Sequence, residues 1–323
     1  MFMMFYSLGI GALSGFGSNL SLWLAWKRVP VDSQGILAGV GLCGYTLAGT
    51  IFGLMMTMLV NENNLPPLSE EINGLREEAY FPEEVYSKVP RAMAILACTY
   101  FVMSMVGIWF IYNDDIAEFK SQPNFNLSKL LKQNIFWELF VILWLIYFFF
   151  IYFTTTYKNL AFTEIHDDHF ITYVASAGML VNAFAKIFWG KILDKYNWHF
   201  TMLILIVGQI FIALIESYSL KSKSFFALVF LAGSFITAPN FLSIMILTNK
   251  LFPNDKWVFI YISYAMDLSL ASMFLIENYL LPAVGYHATY FGIAFILVLA
   301  LIIVYVGLIK SDEKKPILNE STE

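Results

Sequence analysis

Charged side chains are scarce in this sequence: 13% of its 323 residues are Asp, Glu, Lys or Arg, against the roughly 25% that a water-facing surface normally carries. That shortage argues against an ordinary soluble domain. Cysteine is nearly absent. Cys43 and Cys98 both sit inside apolar stretches, so no disulfide framework is expected and both read as small lipid- or core-facing residues. The net charge is −5 and no basic run occurs, which gives no reason to expect a nucleic-acid partner. The apolar N-terminus has no basic stretch before it, so a cleaved secretory signal is not indicated. All four histidines lie at or beyond the ends of the long apolar runs. No Walker loop, nucleophile elbow or zinc-ligand pair appears, which leaves an enzyme without its residues. No cofactor is implied.

What fills the chain instead is apolar: 59% hydrophobic and 18% aromatic residues, with a mean hydropathy of +0.67. A helix crosses the hydrocarbon core of a bilayer with about 20 such residues. Nine stretches qualify, at 1–26, 36–60, 91–113, 134–157, 170–190, 199–217, 225–248, 257–280 and 286–309. Unbroken apolar runs such as Phe140 to Phe153 predict helices, because barrel strands alternate over units of about 10 residues. The expected fold class is therefore an all-α multi-pass membrane protein, with the lipid bilayer as its solvent.

Lysine and arginine give the orientation, since cytoplasmic loops retain them. Twelve of the 19 fall in one set of alternating loops and six in the other, with Lys186 inside a span. This predicts a cytoplasmic C-terminus and an outer, acidic loop at 61–90. Residues 114–133 read as a cytoplasmic linker between a three-helix part, 1–113, and a six-helix part, 134–309. The polar tail 310–323 reads as disordered.

The fifth segment runs out through Asn182, Lys186, Trp189, Gly190, Lys191, Asp194 and Lys195. This resembles the Gly-x-x-x-Asp-(Arg/Lys) loop signature of the major facilitator superfamily. The upstream Asn, cation and Trp-Gly are similar to its oxalate/formate antiporter and monocarboxylate transporter branch. Lys186 stands for the usual Arg, and Asn197-Trp198-His199 for the usual Gly-Arg-Lys. Trp26 to Gly39 resembles that branch's fourth-to-fifth helix loop, with Gln34 in place of an Arg. Asn61 to Asn64 with Tyr80 to Pro90 resembles the outer loop before its sixth helix. Tyr157-Lys158 and Asp167 to Phe170 resemble the outer loop before its eighth. The glycine in the signature lets two helix ends approach, and its aspartate can meet the positive N-terminal end of a neighbouring helix.

The resemblance implies a major facilitator fold carrying nine of the usual twelve helices, three plus six. It implies secondary active transport of a small organic anion, a monocarboxylate or dicarboxylate, by alternating access, with protons as a candidate coupling ion. The first segment aligns with the family's fourth helix. The alternative is therefore a truncated, non-transporting relative or an incomplete gene model.

Ionisable residues inside spans are rare because each costs roughly 2.5–3.5 kcal/mol or more at mid-bilayer. Lys186 is either a lysine snorkelling to the interface or, as the resemblance implies, the fixed cation that meets a substrate carboxylate. Gly178, Asn182 and Lys186 share one helical face, which is expected to line a cavity. Asp267 lies about 15 Å into its span at 1.5 Å per residue. It is expected to pair with Lys186, to carry a proton, or to make a structural polar contact. Glu138, Glu216 and Glu277 lie near span ends and are expected to reach headgroups. The glycines of segment one and the pairs Gly35/Gly39 and Gly49/Gly53 read as sites of close helix packing. In the His166 to His169 stretch, Asp168 is expected to cap the next helix.

Overall fold

The computed structural model of the protein describes residues 25–26, 29–63, 65, 68–72, 75–112, 127–165, 167–252 and 257–313. Its long helices are α1 (Gln34–Val60), α2 (Val89–Tyr112), α3 (Asn134–Phe162), α4 (Asp168–Lys195), α5 (Trp198–Ser219), α6 (Lys223–Thr237), α7 (Asn240–Leu251), α8 (Trp257–Leu275) and α9 (Leu281–Glu313). Among the described residues, seven helical stretches are long and apolar enough to cross a membrane. The first expected segment, 1–26, lies almost wholly outside the described residues, as do most of the linker and the tail beyond residue 313. The tail begins later than its polarity suggests, because α9 continues to Glu313.

Two of the stretches are interrupted. The span at Lys223–Leu251 breaks between Thr237 and Asn240, where Pro239 precedes α7. Proline lacks an N–H and its ring clashes with the carbonyl four residues back, so α6 cannot continue through it. The run Val258–Gly307 is 50 residues long, or about 75 Å as straight helix, more than twice the ~30 Å hydrocarbon thickness. It is broken by a π-helical turn at Ile276–Leu280 and by Gly285, whose φ of 78° and ψ of 171° leave the helical region. Only glycine takes such a backbone angle without strain. α8 and α9, on either side, both pack on α3, so the run supplies two spans. This is the division expected between 280 and 286.

The chain forms two compact units, residues 1–46 with 123–323, and residues 47–122. In the larger unit α3 is central. Leu139, Leu143, Ile146, Phe149 and Phe153 are fully or almost fully enclosed. Phe153 stacks on Phe230 of α6 at 5.0 Å, and Tyr152 meets Tyr290 of α9 edge-on at 5.1 Å. α9 lies along α5, and α6 packs against both α4 and α5. A small polar tie, Gln209 to Asn240 at 2.9 Å and Asn240 to the Ile146 carbonyl at 3.0 Å, links α5, α7 and α3 inside this core. Buried amides are tolerated there because each finds a partner.

In the smaller unit, Val60, Val85 and Ala92 form a local core, and Phe52 of α1 meets Tyr100 of α2 edge-on at 4.7 Å. The acidic loop between them is not irregular throughout. It holds an antiparallel hairpin of β1 (Leu68–Ile72) and β2 (Leu75–Tyr80), with Glu70 opposite Glu77 and Glu71 opposite Arg76. These are the only strands among the described residues. Lys88 donates to Glu62 at 2.8 Å. That bond holds the Glu62 carboxyl below its ordinary range and the Lys88 ammonium above its own. The pair lies at the surface, where solvent screens it, and contributes little. Long apolar helices through both units make the protein an all-α, multi-pass membrane protein.

Candidate functional site

The signature residues stand on helix, not in a loop: α4 runs unbroken from Asp168 to Lys195. Gly190 and Asp194 are four residues apart and so share a face. That face meets the start of α1. A Cβ on Gly190 would lie 2.3 Å from the Gly35 carbonyl oxygen, and one on Gly35 would lie 2.5 Å from the Gly190 carbonyl oxygen. One turn further along, a Cβ on Gly39 would come within 2.4 Å of the Lys186 carbonyl oxygen. The two backbones touch, which no larger residue at these positions permits. Asp194 then accepts the Gly35 N–H at 2.7 Å and the Ile36 N–H at 2.9 Å. Two of the unpaired donors at the start of α1 are satisfied by a carboxylate on another helix, and its negative charge meets the positive helix end. Lys195 is exposed and lies over the Tyr196 ring at 5.5 Å.

Around this contact the indole groups act as ties. Trp189 donates to the Phe235 carbonyl at 3.1 Å, Trp198 to the Ser243 carbonyl at 2.8 Å, and Trp26 to the Gln34 carbonyl at 3.0 Å. Gln34 accepts from Asn249 at 2.9 Å.

Lys186 extends along α1 and donates to the Thr46 hydroxyl, seven residues beyond Gly39. It does not snorkel to an end, and its partner is neutral. Thr46 passes the bond on to the Leu42 carbonyl at 3.0 Å. Asn182 and Gly178 occupy the same face of α4 but meet packed protein in this conformation. Asn182, 4% exposed, donates to the Ser234 carbonyl at 2.9 Å. A Cβ on Gly178 would lie 2.5 Å from the Phe230 ring. Of the expected cavity face, only the Lys186 end carries a charge.

Asp267 is not brought to Lys186. It is exposed on α8, in a stripe with Tyr264, Leu268, Ala271 and Phe274. The opposite face of α8 packs inward, where Ser269 donates to the Trp144 carbonyl at 2.8 Å. A carboxylate at that depth is not stable against lipid tails. The stripe must therefore meet protein or water.

Two other expectations change. The cap of α4 is Asp167, one residue earlier than Asp168, accepting from the Phe170 N–H at 3.1 Å and paired with Lys223. His166 lies outside the described residues. Glu216 does not reach the headgroups. It is 0% exposed, and neither carboxylate oxygen has a hydrogen-bond partner. Glu138 and Glu277 are half-buried.

A cavity of ≈ 700 Å³ opens between α3, α8, the π-helical turn and α9, lined by residues such as Val141, Trp144, Leu275, Ile296 and Ile303. Its one side-chain hydroxyl is that of Ser272, which already accepts from Trp144 at 3.1 Å. With no charge in its wall, it suits acyl chains and not a small anion. Compared with known proteins, the chain matches no protein-family model and no curated protein.

Proposed function

We propose that this protein is a secondary transporter of the major facilitator type, moving a small organic anion by alternating access. The observation that carries the proposal is Lys186. It is an ammonium well inside a membrane-spanning helix, held by the Thr46 hydroxyl and unpaired with any carboxylate among the described residues. A charge in that setting is costly unless it is used. An uncompensated cation is what a carboxylate substrate would meet. The close glycine contact and the Asp194 cap support the reading, because they occupy the residues on which the family resemblance rests. Asp267 is the second candidate, as a proton carrier on the exposed stripe of α8.

The test is uptake of labelled mono- and dicarboxylates by the full chain in proteoliposomes. Lys186→Gln should lower uptake at least tenfold while leaving the thermal midpoint close to that of the parent, and Lys186→Arg should retain part of it. Asp267→Asn should preserve folding and abolish the acceleration of uptake by an imposed proton gradient. Uptake of no carboxylate by the parent, or full uptake by Lys186→Gln, would sink the proposal. Full uptake by Asp267→Ala would remove the proton role alone.

The Lys/Arg bias places the C-terminus in the cytoplasm under this reading. A tag after Glu323 should then be shielded in intact cells, while a protease site inserted between β1 and β2 should be cut from outside. The reverse pattern would invert the topology.

A further inference from the structure

The carboxyl of Glu216 is fully enclosed three residues before the end of α5, with neither oxygen bonded. An ionised carboxylate in such a place would give up all its hydration and gain nothing for it. Buried groups in that situation shed their charge instead. The surroundings are nevertheless not purely apolar. Tyr290 of α9 is within electrostatic reach of Glu216, and also of Tyr152 of α3 and Tyr286 of α9. The Tyr290 hydroxyl shares a 3.5 Å contact with Thr156 of α3. Tyr152 and Tyr290 are themselves 0% exposed. Hydroxyl-bearing side chains of α3 and α9 thus lie together in the packed core, with the Tyr152 hydroxyl itself unbonded.

We infer that Glu216 is a proton-binding site, holding one proton while α3, α5 and α9 are packed together and exchanging it with water when they part. The step moves a single proton between a Glu216 carboxyl oxygen and a water molecule, and no other bond changes. The closed packing and the neutral acid support each other. Ionisation would leave a bare, unbonded charge in the closed core, and separation of the helices would let water reach the carboxylate.

Few other ionisable groups face the site. Tyr290 faces Glu216, and Tyr286 and Tyr152 lie beside Tyr290. At the rim, His287 packs its ring on Tyr218 at 5.2 Å, and Lys221 lies over the same tyrosine at 5.9 Å. Glu277 on the π-helical turn is felt by Tyr152 and Tyr286. On α6, Lys223 is tied to Asp167. Among the described residues, no cation pairs with Glu216 to hold it as an ion. This inference does not depend on the transport reading, since it concerns the proton and not the anion.

Infrared spectroscopy of the full chain in lipid vesicles tests it without any transport assay. At neutral pH the parent should show the carbonyl stretch of a protonated carboxylic acid, and Glu216→Gln should lose that band. On transfer to heavy water the band should shift to its deuterated position no faster than the core amides exchange, because both need the helices to part. Tyr290→Phe should keep the band and move its frequency. If Glu216→Gln does not fold, Glu216→Met, of similar volume and apolar, supplies the comparison. Absence of the acid band in the parent, or its persistence in both variants, would overturn the inference. Deuteration complete within the mixing time would overturn the link between proton exchange and helix separation.

Discussion

Gly190→Leu is expected to leave little or no folded, monodisperse protein in detergent, as read by size-exclusion chromatography and a thermal melt. Leucine has the better intrinsic helix propensity by nearly 1 kcal/mol, so propensity alone would stabilise α4. The loss must come from the 2.3 Å approach of a Cβ to the Gly35 carbonyl oxygen. That neighbour is backbone and cannot rotate away, and overpacking a tight contact costs about 1–3 kcal/mol even where side chains can adjust. The control is Gly41→Ala on α1, where a Cβ would meet nothing within 4 Å. It should melt at or slightly above the parent temperature. Parent-like behaviour of Gly190→Leu would mean that α1 and α4 do not touch in this way.

Asp194→Ala is expected to destabilise the protein strongly without blocking its insertion. Hydrogen bonds to a charged acceptor contribute about 1.5–3 kcal/mol each, and Asp194 accepts two, from Gly35 and Ile36. The alanine variant strands both donors at the start of α1. Asp194→Asn should be intermediate, because its amide oxygen can still accept one bond while its NH2 group opposes the other donor. Amide hydrogen exchange gives the local reading: protection at Gly35 and Ile36 should fall in the order parent, Asn, Ala. Equal protection in all three would show that the cap contributes nothing. The expected loss is larger than an exposed cap would give, because the bonds join residues 158 and 159 positions apart and so hold two helices together.

Under the proposed transport reading, both experiments bear on function through Lys186. Its backbone carbonyl lies against Gly39 and its side chain against Thr46, so the cation is positioned by the α1–α4 contact that Gly190 and Asp194 create. A variant that loosens this contact should move the ammonium even where the fold survives. Transport losses in Asp194→Asn therefore separate positioning from charge only when set beside Lys186→Gln.

The sequence by itself determined the number and place of the described spans. Long apolar runs leave helix as the only way to satisfy the backbone in lipid, and the division of the last two spans falls at Gly285 as expected. The break at Pro239, by contrast, lies inside 225–248, which reads as one span, and is seen only in the structure. The sequence also determined the kind of contact made by Gly190 and Asp194, since a missing side chain and a short carboxylate have few uses at a helix end. What the sequence did not carry was direction. Most of these helices are apolar on nearly every face, so no 3.6-residue rhythm tells which side of α4, α5 or α8 turns inward. Only the packing decided that Asp267 lies on an exposed stripe while Glu216 is sealed between α5 and α9. It also chose Thr46 as the partner of Lys186 and turned Asn182 to a neighbouring carbonyl. Such pairings depend on the rotation of each helix about its axis, and that rotation is set by the helices against which it packs.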